Sequence, residues 1–248
     1  MKPKVSIIVP CYNSEKWVEE CVVSALTQNY ENIEVIAVDN ESSDSTVEIL
    51  KNIQKEYPAL ILSSAENIYP NCWDEARSEG YRLMSGEYMT VIGSDDMMEP
   101  DYITNCMNIM LRAPDRIKAL QSPAVGFKMN GEHKIKTGLI TYNYKSRKQF
   151  MRESLRRCVV NSPSVVYKAS LYKEGLLKTS PETYGGAADY DLYCSLAENE
   201  VFIYPAPMWL GFCYRWHEEQ ATWKVHKQGI NYDKMIQDFW RDKWKDKI

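Results

Sequence analysis

The run Val35-Ile-Ala-Val-Asp39 is followed closely by Ser45-Thr-Val-Glu48. A β-branched apolar run that ends at an aspartate is typical of a strand buried on both faces of a sheet. The Ser-x-x-Glu pattern is a capping box and predicts the start of a helix, whose apolar stripe would include Leu50 and Ile53. Together the two segments predict one strand-to-helix unit of an α/β protein.

The same alternation extends to both sides of this unit. Strands are predicted at residues 5–9, 60–62 and 88–92, and helices at about 17–26 and 72–84. Strands that alternate with helices build parallel sheets with right-handed crossovers. We therefore expect an α/β fold with a mostly parallel, twisted sheet and helices on both of its faces.

The second half of the chain is less regular. Asn130-Gly131 predicts a tight hairpin turn. Helices are expected at 148–157 and 188–198, and short strands at 164–167, 201–204 and 209–214. No linker-like composition or internal repeat divides the chain, so we expect a single domain over residues 1–248.

Bulk composition excludes several classes of protein. The formal net charge of −4 is unlike that of nucleic-acid-binding proteins, which are usually basic. No apolar run approaches the roughly 20 residues that span a bilayer. Seven cysteines at irregular spacing, with no Cys-x-x-Cys pair, argue against a disulfide framework or a structural zinc site. We expect reduced cysteines that act as small apolar side chains in a cytoplasmic protein.

Polar or acidic segments follow three of the predicted strands, at residues 10–13, 39–44 and 93–96. In parallel sheets the carboxyl ends of the strands meet at one edge, and ligands bind just beyond that edge. The three segments should therefore converge on one cleft.

Asp95 and Asp96 carry the strongest local signal. Two adjacent carboxylates at a strand end repel each other, so their presence together suggests a compensating cation. Carboxylate oxygens suit Mg²⁺ or Mn²⁺, ions that often keep waters and bind substrate phosphates. The alternative is a solvated acidic turn before the helix that begins near Pro100.

Asp39 is the second functional candidate from the residues themselves. It ends a strand and could accept a hydrogen bond from a nucleobase N–H or a ribose hydroxyl. The alternative is a turn residue, and in this segment Asp44 or Ser45 is expected to cap the following helix.

Several stretches resemble, in order and spacing, the opening of family 2 glycosyltransferases. They are Val5-Ser-Ile-Ile-Val-Pro-Cys-Tyr-Asn13, Glu34-Val-Ile-Ala-Val-Asp-Asn-Glu-Ser-Ser-Asp-Ser-Thr46, Ala76-Arg-Ser-Glu-Gly80 and Ser85-Gly-Glu-Tyr-Met-Thr-Val-Ile-Gly-Ser-Asp-Asp96. The resemblance implies a GT-A fold, a nucleotide-diphosphate sugar as donor, with a UDP-sugar as the default, and usually inversion of the anomeric centre. It also implies a hexosyl or N-acetylhexosaminyl transferase of polysaccharide biosynthesis, which acts on a saccharide or lipid-linked acceptor.

The resemblance assigns site residues position by position. Asp95 matches the last aspartate of the family's DxD motif, the usual metal ligand for Mg²⁺ or Mn²⁺, whereas Gly93 stands in place of the first. The positions that would bind the nucleotide-sugar are Pro10, Tyr12, Asn13, Asp39, Ser94 and Asp96.

The resemblance continues more weakly into the second half. Gly186-Ala-Ala-Asp-Tyr-Asp-Leu192 is similar to a Glu-Asp-x-x-Leu segment whose aspartate is the general base, with Ala188 in place of the Glu. Asp189 therefore matches the base, and Asp191 is its rival. The alternative is that both acids simply begin a helix and favour its dipole. The expected division is a nucleotide-sugar- and metal-binding half at 1–112 and an acceptor half at 113–230.

Two features near the end are open to more than one interpretation. His217 could be a further metal ligand, and Arg215 could pair with phosphate oxygens. Residues 231–248 predict an amphipathic helix, through Phe239, Trp240 and Trp244. This helix could lie on the inner face of a membrane beside a lipid-linked acceptor, or it could dock its apolar stripe on the domain.

Two other functions compete with a metal-dependent inverting transferase. A nucleotidyltransferase on a similar scaffold would be expected to have a Gly-rich N-terminal loop with a basic residue, which residues 10–13 lack. A non-catalytic nucleotide-sugar-binding relative is suggested by Gly93 and Ala188, but the retained Asp95 and Asp189 argue against it.

Overall fold

A computed structural model of the protein describes residues 2–68, 74–131, 133–220 and 229–248. Within these ranges the chain forms a sheet of seven strands and a second sheet of four. In chain order the strands are β1 (Val5–Cys11), β2 (Ile33–Asp39), β3 (Leu60–Ser64), β4 (Tyr88–Val91), β5 (Met97–Met98), β6 (Ala119–Gln121), β7 (Ala124–Asn130), β8 (His133–Ile140), β9 (Val165–Lys168), β10 (Ile203–Pro205) and β11 (Phe212–Arg215).

Helices connect most of these strands. They are α1 (Val18–Leu26), α2 (Thr46–Glu56), α3 (Glu75–Leu83), α4 (Tyr102–Met110), α5 (Arg147–Ser154), α6 (Ser170–Lys173), α7 (Pro181–Tyr184), α8 (Ala188–Glu198) and α9 (Tyr232–Trp244). The predicted helix at 188–198 matches α8 at both ends. The start of the helix predicted at 72–84 lies outside the described residues, and the described part begins at Glu75. The sequence pattern missed the two four-residue helices α6 and α7.

The larger sheet has the order β10-β6-β9-β4-β1-β2-β3. β1 pairs in parallel with β2 and β4, and β2 pairs in parallel with β3. β9 runs antiparallel to both of its neighbours, β4 and β6, so those two strands run in the same direction. The carboxyl ends of β1, β2, β4 and β6 therefore meet at one edge, and the start of β9 joins them there. The predicted α/β class with a mostly parallel sheet is confirmed.

Alternate residues of β1 face two different cores. Ile7 and Val9 pack in a cluster with α1, α2 and α4, whereas Ile8 packs in a cluster with α3, α5, α8 and α9. The predicted helices on both faces are confirmed. α3 approaches β1 so closely that a Cβ on Gly80 would lie 2.3 Å from the Cγ2 atom of Ile8.

β1 is longer than its sequence pattern predicted. The ladder with β2 continues past residue 9 through the pairs Pro10 with Val38 and Cys11 with Asp39. The assumption that Pro10 ends the strand is therefore wrong. The strand carries the chain two residues further, to the edge where β2 also ends.

The smaller sheet has the order β5-β11-β7-β8. β7 and β8 form the hairpin that Asn130-Gly131 predicted, with Asn130 paired to His133. β11 pairs in parallel with β7 and antiparallel with β5, the two-residue strand that directly follows Asp96. This pairing brings the residues at and after the end of β11 to the edge where β4 ends.

The start of α2 corrects the predicted capping box. No side-chain hydrogen bond from Ser45 caps this helix. Instead the Oδ1 atom of Asp44 accepts from the Thr46 amide at 3.0 Å and from the Thr46 hydroxyl at 2.6 Å. Of the two residues expected to cap α2, Asp44 and Ser45, it is Asp44 whose side chain does so.

The C-terminal helix α9 docks on the domain. Ile236, Trp240 and Trp244 are buried. The indole of Trp240 donates to Asp191 at 2.7 Å, and that of Trp244 donates to Glu198 at 2.9 Å. In the described part of the chain, no helix combines the length and the apolar character needed to cross a membrane.

The cysteines of the described ranges fit the expected role. Six of them are free thiols, and all of these are buried except Cys158, which is half-buried. Cys72 lies outside the described residues. The interpretation as reduced apolar side chains is confirmed for the six.

Glu34 is a buried carboxylate that joins three segments. It accepts from the Ser6 hydroxyl at 2.6 Å, from the Ser85 amide at 2.6 Å and from the Lys4 ammonium at 2.6 Å. Burial by itself would raise the pKa of Glu34, but the hydrogen bonds from Lys4, Ser6 and Ser85 outweigh it and lower the pKa to about 2. The pairing therefore stabilises the folded state only while Glu34 is ionised.

We expect Glu34→Gln to lower the free energy of unfolding at pH 7 by about 2–3 kcal/mol. Because the folded pKa lies below the unfolded value, this contribution is fully present above pH 4.5 and is lost as the pH falls towards 2. Urea denaturation at pH 7 and at pH 3 measures both effects. The exposed Glu56→Gln serves as the control. A difference between wild type and Glu34→Gln that stays constant on acidification would contradict the pairing.

Candidate functional site

The loops after β1 and β2 are joined by hydrogen bonds. Asn13 has a φ of 46°, in the left-handed region that asparagine tolerates better than most residues. Its backbone amide donates to the Ser42 hydroxyl at 3.0 Å, and its side-chain Oδ1 atom accepts from the Ser43 backbone amide at 2.8 Å. Tyr12, one residue earlier, is 54% exposed. The loops thus form a fixed backbone around an exposed aromatic ring.

Asp39 presents a free acceptor at this edge. Its Oδ2 atom accepts from the Ser42 amide at 3.1 Å. Its Oδ1 atom is buried and has no hydrogen-bond partner among the described residues. A buried polar atom without a partner is unfavourable, and such an atom calls for a functional explanation. The free oxygen can accept a hydrogen bond from an N–H or O–H group of a ligand.

The segment after β4 forms a tight turn. The Asp96 amide donates to the Gly93 carbonyl at 3.0 Å, and the hydroxyls of Ser94 and Ser14 lie 2.6 Å apart. A Cβ on Gly93 would lie 2.7 Å from Asp95 Oδ1 and 3.2 Å from Asp96 Oδ2. The glycine therefore leaves room for the two carboxylates that follow it.

Asp95 and His217 meet at this turn. Asp95 Oδ2 and His217 Nε2 are 2.8 Å apart, and the His217 ring stacks on Trp17 with a centroid separation of 4.0 Å. The His217 Nδ1 atom is buried without a partner among the described residues. The side chains of Asp95 and His217 are 25% and 15% exposed, so the pair is open to the cleft. The two predicted metal ligands thus lie together.

Asp96 is turned away from the cleft. It is 1% exposed, and its Oδ1 atom accepts from the Arg215 backbone amide at 2.9 Å. Burial, and then the charge of Asp95, raise the pKa of Asp96 well above its usual value. A direct contact of Asp96 with the donor stays a prediction, and its observed contacts are those of a support for the turn.

The guanidinium of Arg215 is directed at protein groups. Its Nε atom donates to the Asp95 carbonyl at 2.6 Å, and its Nη2 atom binds Glu20. Its Cζ atom lies 4.6 Å from the centroid of the Phe127 ring. Glu20 also pairs with Lys134 of the β7–β8 hairpin. The Arg215 side chain is 3% exposed, so its contacts favour a structural role, and phosphate binding by Arg215 stays a prediction.

Asp189 lies in a different group of residues, at the start of α8. Burial raises the pKa of Asp189 above its usual value, and the nearby Arg77 opposes that rise. Arg77 pairs with Asp74 and donates to the Thr179 hydroxyl at 3.0 Å. Asp191, the rival acid, binds the Trp240 indole instead. The two acids therefore have different surroundings, and only Asp189 lies beside Arg77.

Sequence reasoning missed three contributors to these groups. Arg77 lies in the segment Ala76–Gly80 that resembles the family, but no role was predicted for it. Trp17 was expected only to begin a helix, although its ring stacks on His217. Glu20 had no local signal, because its partners Arg215 and Lys134 are distant in sequence. Within the described ranges, no group of three or more His, Cys, Asp or Glu side chains could hold a metal ion without further ligands.

A family model described as "Glycosyl transferase family 2" matches residues 6–177. Chondroitin synthase of Escherichia coli is 29% identical over 196 residues, which are 79% of this chain and 27% of the synthase. The chain spans less than half the length of several curated relatives that it matches.

Two solved structures show the same fold. S. aureus TarS 1-349 in complex with UDP-GlcNAc has a TM-score of 0.70 at 19% identity, covering 92% of this chain and 61% of that one. Glucosyl-3-phosphoglycerate synthase from Mycobacterium tuberculosis, with Mn²⁺, UDP and glucosyl-3-phosphoglycerate, has a TM-score of 0.59 at 17% identity, covering 97% and 79%. The family match includes all three strand-end loops, and the chain belongs to glycosyl transferase family 2.

Proposed function

We propose that this protein is a glycosyltransferase that moves a sugar from a nucleotide-diphosphate sugar, by default a UDP-sugar, to a hydroxyl of a saccharide or lipid-linked acceptor. The reaction depends on a bound metal ion and inverts the anomeric centre of the sugar. The observation that carries the proposal is the 2.8 Å contact between Asp95 Oδ2 and His217 Nε2 at the carboxyl edge of the sheet. It supports the proposal because an oxygen atom and a nitrogen atom that could both bind a metal ion lie side by side.

The donor set fits a divalent ion that shares its coordination with a diphosphate. Asp95 and His217 would hold the ion, and the remaining positions would be left for phosphate oxygens and water, as is usual for Mg²⁺ sites. The imidazole favours Mn²⁺ over Mg²⁺ because nitrogen ligands suit transition metals. When bound, such an ion neutralises the charge that develops on the departing diphosphate. Mn²⁺ is present in the related structure from M. tuberculosis.

We expect Asp95→Asn to weaken Mn²⁺ affinity about 10–100-fold or more, because the amide removes the negative charge of the ligand. Titration of donor hydrolysis with Mn²⁺ measures the change. Asp242→Asn, at an exposed carboxylate of α9, is the matched control. Wild-type Mn²⁺ dependence in Asp95→Asn would rule out the metal assignment. Donor hydrolysis by wild type would itself separate an enzyme from a non-catalytic binder.

The nucleoside would lie against the loops after β1 and β2. The exposed ring of Tyr12 offers a stacking surface, and Asp39 offers its free Oδ1 atom. Asn13 and Ser94 would act through the backbone that they fix, since the side chain of each bonds another loop. Pro10 lies in β1 beside Val38, one residue before the strand ends at Cys11, and its part in donor binding is proposed from the family resemblance.

Asp189 is the proposed general base. Inversion needs one carboxylate to take the proton of the acceptor hydroxyl while that oxygen bonds to the anomeric carbon and the diphosphate leaves. Burial strengthens the carboxylate as a base by raising its pKa, and the charge of Arg77 limits that rise. The carboxylate of Asp191 binds the Trp240 indole and so is the weaker candidate.

We expect Asp189→Asn to lower kcat about 10²–10⁴-fold, because the amide cannot accept the proton. The thermal shift caused by the nucleotide-sugar should stay at the wild-type size, since donor binding does not need the base. In wild type, kcat should fall as the pH drops through the raised pKa of Asp189. Asp191→Asn is the control and should keep turnover. Unchanged turnover in Asp189→Asn would remove this assignment.

The name of one relative bears on the sugar and the acceptor, and the loop at residues 10–13 bears on the nucleotidyltransferase alternative. A relative named chondroitin synthase supports a role in polysaccharide biosynthesis and a hexosyl or N-acetylhexosaminyl donor. The loop at residues 10–13 has no basic side chain for a nucleotidyltransferase, and its Asn13 is bonded to Ser42 and Ser43. No observation in the described residues favours that rival.

Peripheral membrane contact through α9 is a separate part of the proposal. α9 buries its tryptophans, but Met235 and Phe239 are 45% and 50% exposed, with Lys243 beside the Phe239 ring. If this face touches a bilayer, Phe239→Glu should reduce co-sedimentation with anionic vesicles at least several-fold. Met208→Glu, at an exposed methionine elsewhere, is the control. Equal sedimentation of wild type and Phe239→Glu would contradict the contact.

A further inference from the structure

Two amide side chains each have a buried polar atom without a hydrogen-bond partner among the described residues. Gln121 is 2% exposed, and its Oε1 atom has no hydrogen-bond partner among the described residues. The Nδ2 atom of Asn161 is likewise buried and without a partner there. The first atom is an acceptor and the second is a donor. Buried polar groups are nearly always paired, so a free acceptor and a free donor point to a ligand.

Gln121 lies at the edge where the donor site is built. It is the last residue of β6, which runs in the same direction as β4 and so ends at the same edge. Gln121 is paired with Val165, whose carbonyl accepts from the Thr90 hydroxyl of β4 at 2.9 Å. The adjacent strands thus place Gln121 two strands away from the end of β4, which leads to Asp95.

The side chain of Gln121 lies on the face of the sheet that α8 covers. Ala119, two residues earlier on β6, packs in the same core as Tyr190 and Tyr193 of α8. Since alternate residues of a strand share a face, Gln121 points to this side as well. Asp189 belongs to the first turn of the same helix.

Asn161 lies near the start of β9, at the same edge. It precedes a 3₁₀ turn, Ser162–Ser164, that leads into β9. Its carbonyl accepts from the Ser164 amide at 3.0 Å, so its backbone is fixed. Ser162 lies beside Tyr193, which in turn lies close to Asp189. Gln121 and Asn161 therefore both lie near the start of β9, and the residue after Asn161 is linked through Tyr193 to the surroundings of Asp189.

We propose that Gln121 and Asn161 hydrogen-bond the sugar ring of the donor and determine which sugar is accepted. Gln121 Oε1 accepts from a hydroxyl or an acetamido N–H of the ring, and Asn161 Nδ2 donates to a hydroxyl or acetamido oxygen. This inference rests on the proposed function, because it needs a sugar between the diphosphate and Asp189. Neither residue takes part in proton transfer; both recognise the ligand.

Gln121→Met tests the assignment, because methionine has a similar volume and no amide. Removing an unpaired buried acceptor should raise the melting temperature of the free protein by about 2–4 °C. The thermal shift caused by UDP should be unchanged. The additional shift of UDP-sugar over UDP should shrink, and KM for the donor should rise about 10-fold. Asn161→Leu should lower the same additional shift.

Gln28→Met is the matched control. Gln28 is also a buried glutamine, but its Nε2 atom donates to the carbonyls of Ser24 and Glu99, and its Oε1 atom accepts from the Ile103 amide. The same substitution there removes satisfied hydrogen bonds, so it should lower the melting temperature and leave the sugar-dependent shift at the wild-type size.

The ligands are a panel of nucleotide-hexoses and nucleotide-N-acetylhexosamines, each tested with Mn²⁺. The variants are compared on those ligands that raise the melting temperature of the wild type. A smaller shift in Gln121→Met for either sugar class supports the assignment. A full wild-type shift for every sugar, or a lower melting temperature of free Gln121→Met, overturns it while the proposed function stands. A wild type that responds to no nucleotide-sugar overturns both.

Discussion

The site depends on the contact between Asp96 and Arg215, two charged residues that are almost completely buried. The backbone amide of Arg215 donates to the Asp96 carboxylate, and the guanidinium of Arg215 binds the Asp95 carbonyl and Glu20. Burying charged side chains is unfavourable, and it is tolerated only when their hydrogen-bonding groups are satisfied. Here the pair joins the end of β4 to the end of β11. His217 follows Arg215 by two residues, so the same contact sets where the imidazole meets Asp95.

Charge pairing extends from this contact to the hairpin of the smaller sheet. Glu20 of α1 lies between Arg215 and Lys134, and Arg215 also stacks on Phe127 of β7. The position of the Asp95 turn is therefore coupled to α1 and to the β7–β8 hairpin as well as to β4. Asp189 depends on a second group, formed by α3 and α8, in which Arg77 is held by Asp74 and Thr179. Asp95 and Asp189 are thus supported by two separate groups of residues from opposite halves of the chain.

The sequence predicted the features that depend on strand periodicity and on motifs at strand ends. The parallel sheet, the two helical faces, the hairpin at Asn130-Gly131 and the meeting of Asp95 with His217 belong to this class. Predictions that depend on particular side-chain contacts were less complete: the observed contacts of Arg215 are with Asp95 and Glu20, and the cap of α2 is made by Asp44 and not by Ser45. Unsatisfied atoms such as Gln121 Oε1 have no sequence signature, because burial and pairing are decided by tertiary contacts.

Gly93 has a consequence for how this site can diverge. Any side chain at that position starts with a Cβ 2.7 Å from Asp95 Oδ1, the end of a flexible side chain, so the Asp95 carboxylate has to shift. An acidic side chain there would also place a third carboxylate beside Asp95 and Asp96 and increase their mutual repulsion. Glycine at position 93 therefore limits the negative charge of this turn, and an aspartate there would make the turn depend more strongly on a bound cation.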